Sequence, residues 1–269
     1  MKHRSPGFTL VELLVTITVT ISLAALGMLG YRSAKEKAKS IVEINAARNL
    51  ITGYLGYAAD HSSQVMPGFK ADPDAMNLKG ELMAFPMNAR YPYRLMANVP
   101  AIDGIIFYNG NEGLLHKENN DYEISLRPNL GINAELVGGN FGSASALLNA
   151  AQTRLVSVYG KYYLSHLSEA DDPSKLIVFA SSRYTKDEPG YFEIKPPNMT
   201  ANVWSSDKFE KEGTASKHGY VDFRWSGKAV CAMLGGNVEL LDEEQMRDMR
   251  RWSIQACRAN DEDFRISRQ

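Results

Sequence analysis

Apolar residues run almost without a break from Phe8 to Tyr31, where Glu12 is the lone charge, and Lys2, His3 and Arg4 precede them. Wound as a helix, a run of that length reaches across a hydrocarbon core of about 30 Å. The pattern predicts a membrane span over 8–31. Beyond Tyr31 the chain turns polar with no helix breaker, and Arg32-Ser33-Ala34-Lys35-Glu36-Lys37-Ala38-Lys39 is rich in helix formers. Apolar residues then recur at Ile41, Ile44, Ala47, Ile51, Leu55 and Ala58, a three-and-four spacing that makes one stripe. A single helix is therefore expected from Thr9 to about Asp60, ~78 Å long at 1.5 Å per residue. Its first half is apolar all round and its second half amphipathic, as suits a rod surrounded by lipid or sister helices at one end and packed on a globular domain at the other. Gly27 and Gly30 each weaken the helix by about 1 kcal/mol relative to Ala and mark a place for a bend or local melting.

Gln64-Val65-Met66-Pro67-Gly68 and Ala71-Asp72-Pro73-Asp74 stop that helix and begin a loop. Apolar, strand-like runs follow at Ile102 to Tyr108, Tyr122 to Leu126, Leu155 to Tyr163, Lys175 to Ala180 and Tyr191 to Ile194. They predict an antiparallel sheet packed on the helix stripe, an α+β fold. Leu130-Gly131-Ile132-Asn133 and the glycines at 138, 139 and 142 read as a loop crossing. Near the end, Ala229 to Leu234, Gly235-Gly236 and Asn237 to Leu241 read as a β-hairpin closed by a two-residue glycine turn. A short C-terminal helix follows, with Asp242 and Gln245 as a capping box and Met246, Met249 and Trp252 on its apolar face. The charged tail over 259–269 is expected to fray.

Composition narrows the chemistry. The 30 Lys and Arg against 31 Asp and Glu give a net charge of −1, and loss of Lys2 and Arg4 would make it −3. No basic stripe courts nucleic acid. The chain has no His-Glu-x-x-His, Gly-x-Ser-x-Gly, Cys-x-x-Cys or Gly-x-x-x-x-Gly-Lys string, so no enzyme activity is expected, and no cofactor. The histidines at 3, 61, 116, 166 and 218 show no pair at ligand spacing, and His166 and His218 read as surface or loop residues. No metal site is expected. The acidic trio Asp242, Glu243 and Glu244 suits the positive end of a helix dipole, and it lacks the alternating oxygen ligands of a calcium loop.

The start of the chain departs from a secretory signal. Such a signal has an apolar core of about 7–15 residues followed by a small-residue cleavage site. Here the run is longer, no Ala-x-Ala closes it, and the small residue, Gly7, stands before it. The string Pro6-Gly7-Phe8-Thr9-Leu10-Val11-Glu12-Leu13-Leu14 resembles the signal of type IV prepilins and type II secretion pseudopilins. That resemblance implies cleavage after Gly7 by a prepilin peptidase and methylation of the new amino group on Phe8. It also implies a role for Glu12 in assembly with other pilin-like subunits and with the secretion or pilus machinery. The physics agrees with that role. A carboxylate deep in a spanning helix costs about 2.5–3.5 kcal/mol unless partnered, and the freed ammonium of Phe8 lies four residues, roughly 6 Å, before Glu12. A neighbouring subunit offset by that distance brings its ammonium to this carboxylate.

A second stretch extends the likeness. Tyr220-Val221-Asp222-Phe223-Arg224-Trp225-Ser226-Gly227-Lys228-Ala229-Val230, running through Asn237-Val238-Glu239, is similar to the close of a bacterial pilin-like group carrying a histidine, nine residues, then Asp-Gly-His. Trp225 stands at the first histidine, and Gly235 and Asn237 replace the aspartate and last histidine; Gly236 alone keeps the motif. Metal or proton chemistry tied to those side chains does not transfer. Tyr91-Pro92-Tyr93-Arg94-Leu95 and Gly131-Ile132-Asn133 resemble the same group more faintly. The likeness implies a leader over 1–7, the transmembrane half of the helix over 8–31, its amphipathic half over 32–60, a periplasmic pilin-like domain over 61–258 and the tail. The protein is then expected in a bacterial inner membrane, its N-terminus cytoplasmic, as a subunit of a secretion or pilus-like filament. Counted by Lys and Arg alone, Arg32, Lys35, Lys37 and Lys39 outnumber Lys2 and Arg4 and would place the domain in the cytoplasm. The alternatives are a membrane-tethered binding module that never polymerises and, further off, a periplasmic hydrolase. Cys231 and Cys257 stay open: an oxidising compartment permits a disulfide and pilins often close a C-terminal loop with one, whereas Cys231 sits in an apolar run where a buried thiol serves as a small hydrophobe.

Overall fold

The computed structural model describes residues 9–99, 101–142 and 155–268. The chain forms two compact units, Met1–Ile41 and Val42–Gln269. One helix, α1, spans Leu10–Asp60 and passes through 27–30 without interruption. In the first unit its apolar side chains, Leu10 through Leu26, are exposed. Among the described residues no helix is long and apolar enough to cross a membrane.

In the second unit the face of α1 formed by Ala47, Leu50, Ile51, Tyr54 and Ala58 is fully buried. Each large side chain there contributes about 1.5–3 kcal/mol by leaving water. Ile41 is exposed, so the buried stripe starts later than the spacing predicts. Against this face packs a four-stranded antiparallel sheet of order β1-β2-β3-β4, with β1 Leu130–Ile132, β2 Ile177–Ser181, β3 Lys228–Met233 and β4 Val238–Asp242. Side chains alternate across β3: Val230 and Ala232 join the core that holds α1, while Ala229, Cys231 and Met233 face a second core with Met246, Met249 and Trp252. A register shift between Ile177 and Phe179 breaks this alternation in β2 and places Val178 and Phe179 both in the α1 core. Phe179 there meets Tyr54 and Tyr91 edge-on, with ring centroids 5.6 and 5.2 Å away.

Several expectations are corrected. Ile102–Ile106 and Asp121–Leu126 are short helices, not strands, and 155–159 is helical too. Short apolar runs carry no period that separates the two states. Leu130–Ile132 is a strand, not a loop, and Tyr191–Ile194 reaches it through a single parallel bridge, Glu193 to Ile132. The predicted hairpin is present, but its turn has three residues. Gly236 donates to Met233 O at 2.9 Å and Met233 donates to Asn237 O at 2.9 Å, while Gly236 alone takes a positive φ, +88°. That is a type I turn followed by a left-handed residue. Asp242 and Gln245 do form the capping box. The helix it starts ends at Arg247, because Asp248 turns extended and caps a separate turn, Met249–Arg251. The tail is tied down: Ile266 is buried, and its N–H donates to Met199 O at 2.9 Å.

Candidate functional site

At the start of α1, Thr9 and Glu12 hold each other. Thr9 Oγ1 accepts from the Glu12 N–H at 3.3 Å, and Glu12 Oε2 accepts from the Thr9 N–H at 2.9 Å and the Thr9 hydroxyl at 2.7 Å. This is a capping box, which satisfies two of the donors that every helix start leaves open. Glu12 thus has a local structural role that the sequence reading missed, although threonine three residues before glutamate is its signature. The hydroxyls of Thr16, Thr18, Thr20 and Ser22 donate to the carbonyls of Glu12, Leu14, Thr16 and Thr18 at 2.7–2.9 Å. Every one of these donors is satisfied within the helix, the condition that a hydrocarbon solvent imposes. Gly7 and Phe8 lie outside the described residues.

The same helix carries a buried acid, Glu43, which is 0 % exposed. The Ser181 hydroxyl of β2 donates to Glu43 Oε1, and Ser181 Oγ accepts the Val230 N–H of β3 at 2.8 Å. Arg224 Nη1 stands 3.7 Å from Glu43 Oε2, and Arg224 Nε stands 3.0 Å from Asp222 Oδ2. Arg224 Nη2 donates to the carbonyls of Asn129 and Ser182. Burial pushes the Glu43 carboxyl up, and the Arg224 charge and the Ser181 bond draw it part of the way back. For Arg224 burial opposes the charge, but Glu43 and Asp222 outweigh it and hold its pKa up. Among the described residues, five buried polar atoms here make no hydrogen bond: Glu43 Oε2, Arg224 Nε and Nη1, the Tyr108 hydroxyl and Trp225 Nε1.

This cluster fastens α1 to β2 and to the segment entering β3. Ser181 and Glu43 are both fully buried, so the hydroxyl has no open path to a substrate. The sequence marks Asp222, Arg224 and Trp225 only as part of the degenerate motif, and it marks neither Glu43 nor Ser181. The available signal was positional: Glu43 sits four residues before Ala47, on the stripe itself, and a lone charge on a buried face needs a partner.

The remaining residues of interest are dispersed. Cys231 and Cys257 are both free thiols in the structure, the first buried and the second half-buried. Cys231 faces the second core, with its sulfur 3.6 Å from Met246 Sδ, and burial pushes its thiol pKa up. His166 lies in a loop, its ring bonded to Ser62 O and Ser168. His218, expected at the surface or in a loop, is 3 % exposed and lies 3.4 Å from Glu243 between Trp204 and Phe209. Glu243 accepts the Phe209 N–H at 2.8 Å and pairs with Arg247 at 2.6 Å, which occupies the acidic trio with structure. At the degenerate motif, Trp225 pairs with Lys228 in an isolated bridge and Asn237 donates to Ser174 O. Among the described residues no group of three His, Cys, Asp or Glu side chains is placed to hold a metal. No protein family, curated protein or solved structure matches the chain.

Proposed function

We propose that this chain is a pilin-like subunit, anchored in a bacterial inner membrane by the first part of α1 and assembled through that helix into a secretion or pilus-like filament. The observation that carries the reading is one acid, Glu12, in an otherwise uncharged run at the head of a single helix whose far half is buried in a domain. The pilin-like form of the α+β fold is part of the same proposal. Processing after Gly7 would free the ammonium of Phe8, and a neighbouring copy or partner pilin would set it against Glu12. The in-helix bonding of Thr16, Thr18, Thr20 and Ser22 supports residence in lipid, and the leader puts the N-terminus in the cytoplasm and the domain in the periplasm. Mass analysis of the N-terminal peptide from the native host tests this. We expect a chain beginning at N-methylated Phe8; an intact Met1 or a cut elsewhere ends the proposal. A reporter fused after Gln269 decides the side on which the domain lies.

The second reading, a tethered module that never polymerises, is favoured by the size of the second unit, Val42–Gln269. Crosslinking between cysteines introduced along the span separates the two. Only a subunit that assembles gives helix-to-helix adducts that need Glu12.

A further inference from the structure

We propose that a cleft of about 670 Å³ between residues 57–70, 138–141 and 163–169 is a saccharide-binding site. Its volume lies in the range of small-ligand sites. Apart from Tyr57 on α1 and the short helical turn Leu167–Glu169, the cleft is built from loops, yet its walls are locked to one another. The Val65 N–H donates to Ser165 O at 3.0 Å, Gly138 to Leu164 O at 2.8 Å, Phe69 to Gly139 O at 3.3 Å and Phe141 to Phe69 O at 2.8 Å. Gly138 and Gly139 both have φ of +80°. A Cβ on the first would meet Met66 O at 2.2 Å, and one on the second would meet the Tyr163 ring at 2.9 Å. Side chains are therefore excluded where the walls meet, and Tyr163 rests on bare backbone. Loops held this firmly present a fixed surface, which lowers the ordering cost of binding.

The chemistry of that surface selects the ligand. Tyr57, Phe141 and Tyr163 are half-buried and line the cleft, and the last two meet edge-on at 5.9 Å. Beside them the exposed side chains of Gln64 and Lys70 make no hydrogen bond or ion pair with any described residue, and the Lys70 ammonium lies 5.6 Å from the Phe141 ring centre. A sugar ring has an apolar C–H face that suits an aromatic wall and hydroxyls that both donate to and accept from an amide and accept from an ammonium. A peptide strand needs main-chain partners. Here the N–H groups of Val65, Phe69, Gly138 and Phe141 are spent on closing the walls. Glycoside hydrolysis takes two flanking carboxyl groups. Glu169 is the one carboxylate among the described residues lining the cleft, and it is committed to Lys161 and the Ser165 N–H. The site holds a saccharide without cutting it.

Titration calorimetry on the full chain, in a detergent without a sugar headgroup, tests this with chitobiose, cellobiose and digalacturonate as probes. At least one disaccharide is expected to bind at millimolar concentration, and Phe141→Ala and Tyr163→Ala are each expected to weaken it by about tenfold or more. The double variant Gln64→Ala/Lys70→Ala changes exposed residues only, and it is expected to weaken binding with tryptophan fluorescence unchanged. Absence of binding by all three probes, binding untouched by the Gln64/Lys70 variant, or binding of trialanine in their place overturns the proposal.

Discussion

Glu12 and Glu43 stand on one helix and meet opposite surroundings. Glu12 is exposed, and its carboxylate bonds Thr9 one turn back, whereas Glu43 is sealed among Ser181, Arg224, Asp222, Tyr108 and Trp225. Removing water from Glu43 is costly, and its ion pair and hydrogen bond offset that cost only in part, since Oε2 and Arg224 Nη1 are left without hydrogen bonds. The first acid keeps its charge available; the second has spent its charge on holding α1 to the sheet. The comparison teaches that the two acids answer different demands: Glu12 closes a local cap and leaves its charge open to the partner proposed for it, whereas Glu43 is spent inside the domain.

The sharpest way to break that division is to remove one side of the buried pair. Arg224→Leu leaves Glu43 buried without its counter-charge and is expected to destabilise the domain by about 3–5 kcal/mol; Glu43→Leu leaves Arg224 to Asp222 and the two carbonyls and is expected to cost less. The double variant leaves neither charge stranded and is expected to recover at least half of the summed loss. Guanidinium unfolding read by tryptophan fluorescence measures this, because Trp204, Trp225 and Trp252 all lie in the second unit. Single variants that unfold at the native midpoint would mean that Glu43 is not a pin.

Glu12→Leu is the mirror experiment. Helix-to-helix crosslinks between cysteines introduced along the span, in a Cys257→Ser background, are expected to vanish. The unfolding midpoint of the domain is expected to move by less than about 1 kcal/mol, the worth of a helix cap. Crosslinking at the native level would remove Glu12 from assembly and leave it a capping residue alone.

What could be read in advance follows the same line between local and distant causes. The long helix, its end at Asp60, the hairpin and the Asp242 box each depend on neighbours within a few residues, and each is present. The runs Ile102 to Tyr108 and Tyr122 to Leu126 read as strands but hold the helices Ile102–Ile106 and Asp121–Leu126, because runs of five to seven residues are too short to separate the two periods. Leu130–Ile132 was misread because Gly131 signals a loop locally, while pairing with Phe179 to Ser181, nearly 50 residues on, makes it a strand. Glu43 was overlooked for a related reason: Ser181 and Arg224 reach it only through the fold. The tail looked loose by charge, but Phe264 and Ile266 supply an apolar grip on the second core.

The smallest expected effect is also the most specific to Glu43. Its folded pKa is raised above the ordinary value of 4.5, so in the pH range just above that value the folded state keeps a proton that the unfolded state has released. Protons then favour folding, and the stability that Glu43 contributes is complete below 4.5 and is lost as pH rises through the folded value. Asp172 works in the other direction. Lys175 and Ser174 hold its carboxyl below the usual range, so its contribution is present above the unfolded value and is lost as pH falls through the folded one. Stability is therefore expected to rise from strong acid and then decline with further increase in pH. In Glu43→Gln the declining arm should flatten but not vanish, because Glu193, also raised by burial, keeps its share. The rising arm should be untouched. Unfolding midpoints of both proteins across this range read the two arms separately, and a declining arm of equal slope in Glu43→Gln would show that the buried acid on α1 holds its charge in the folded protein.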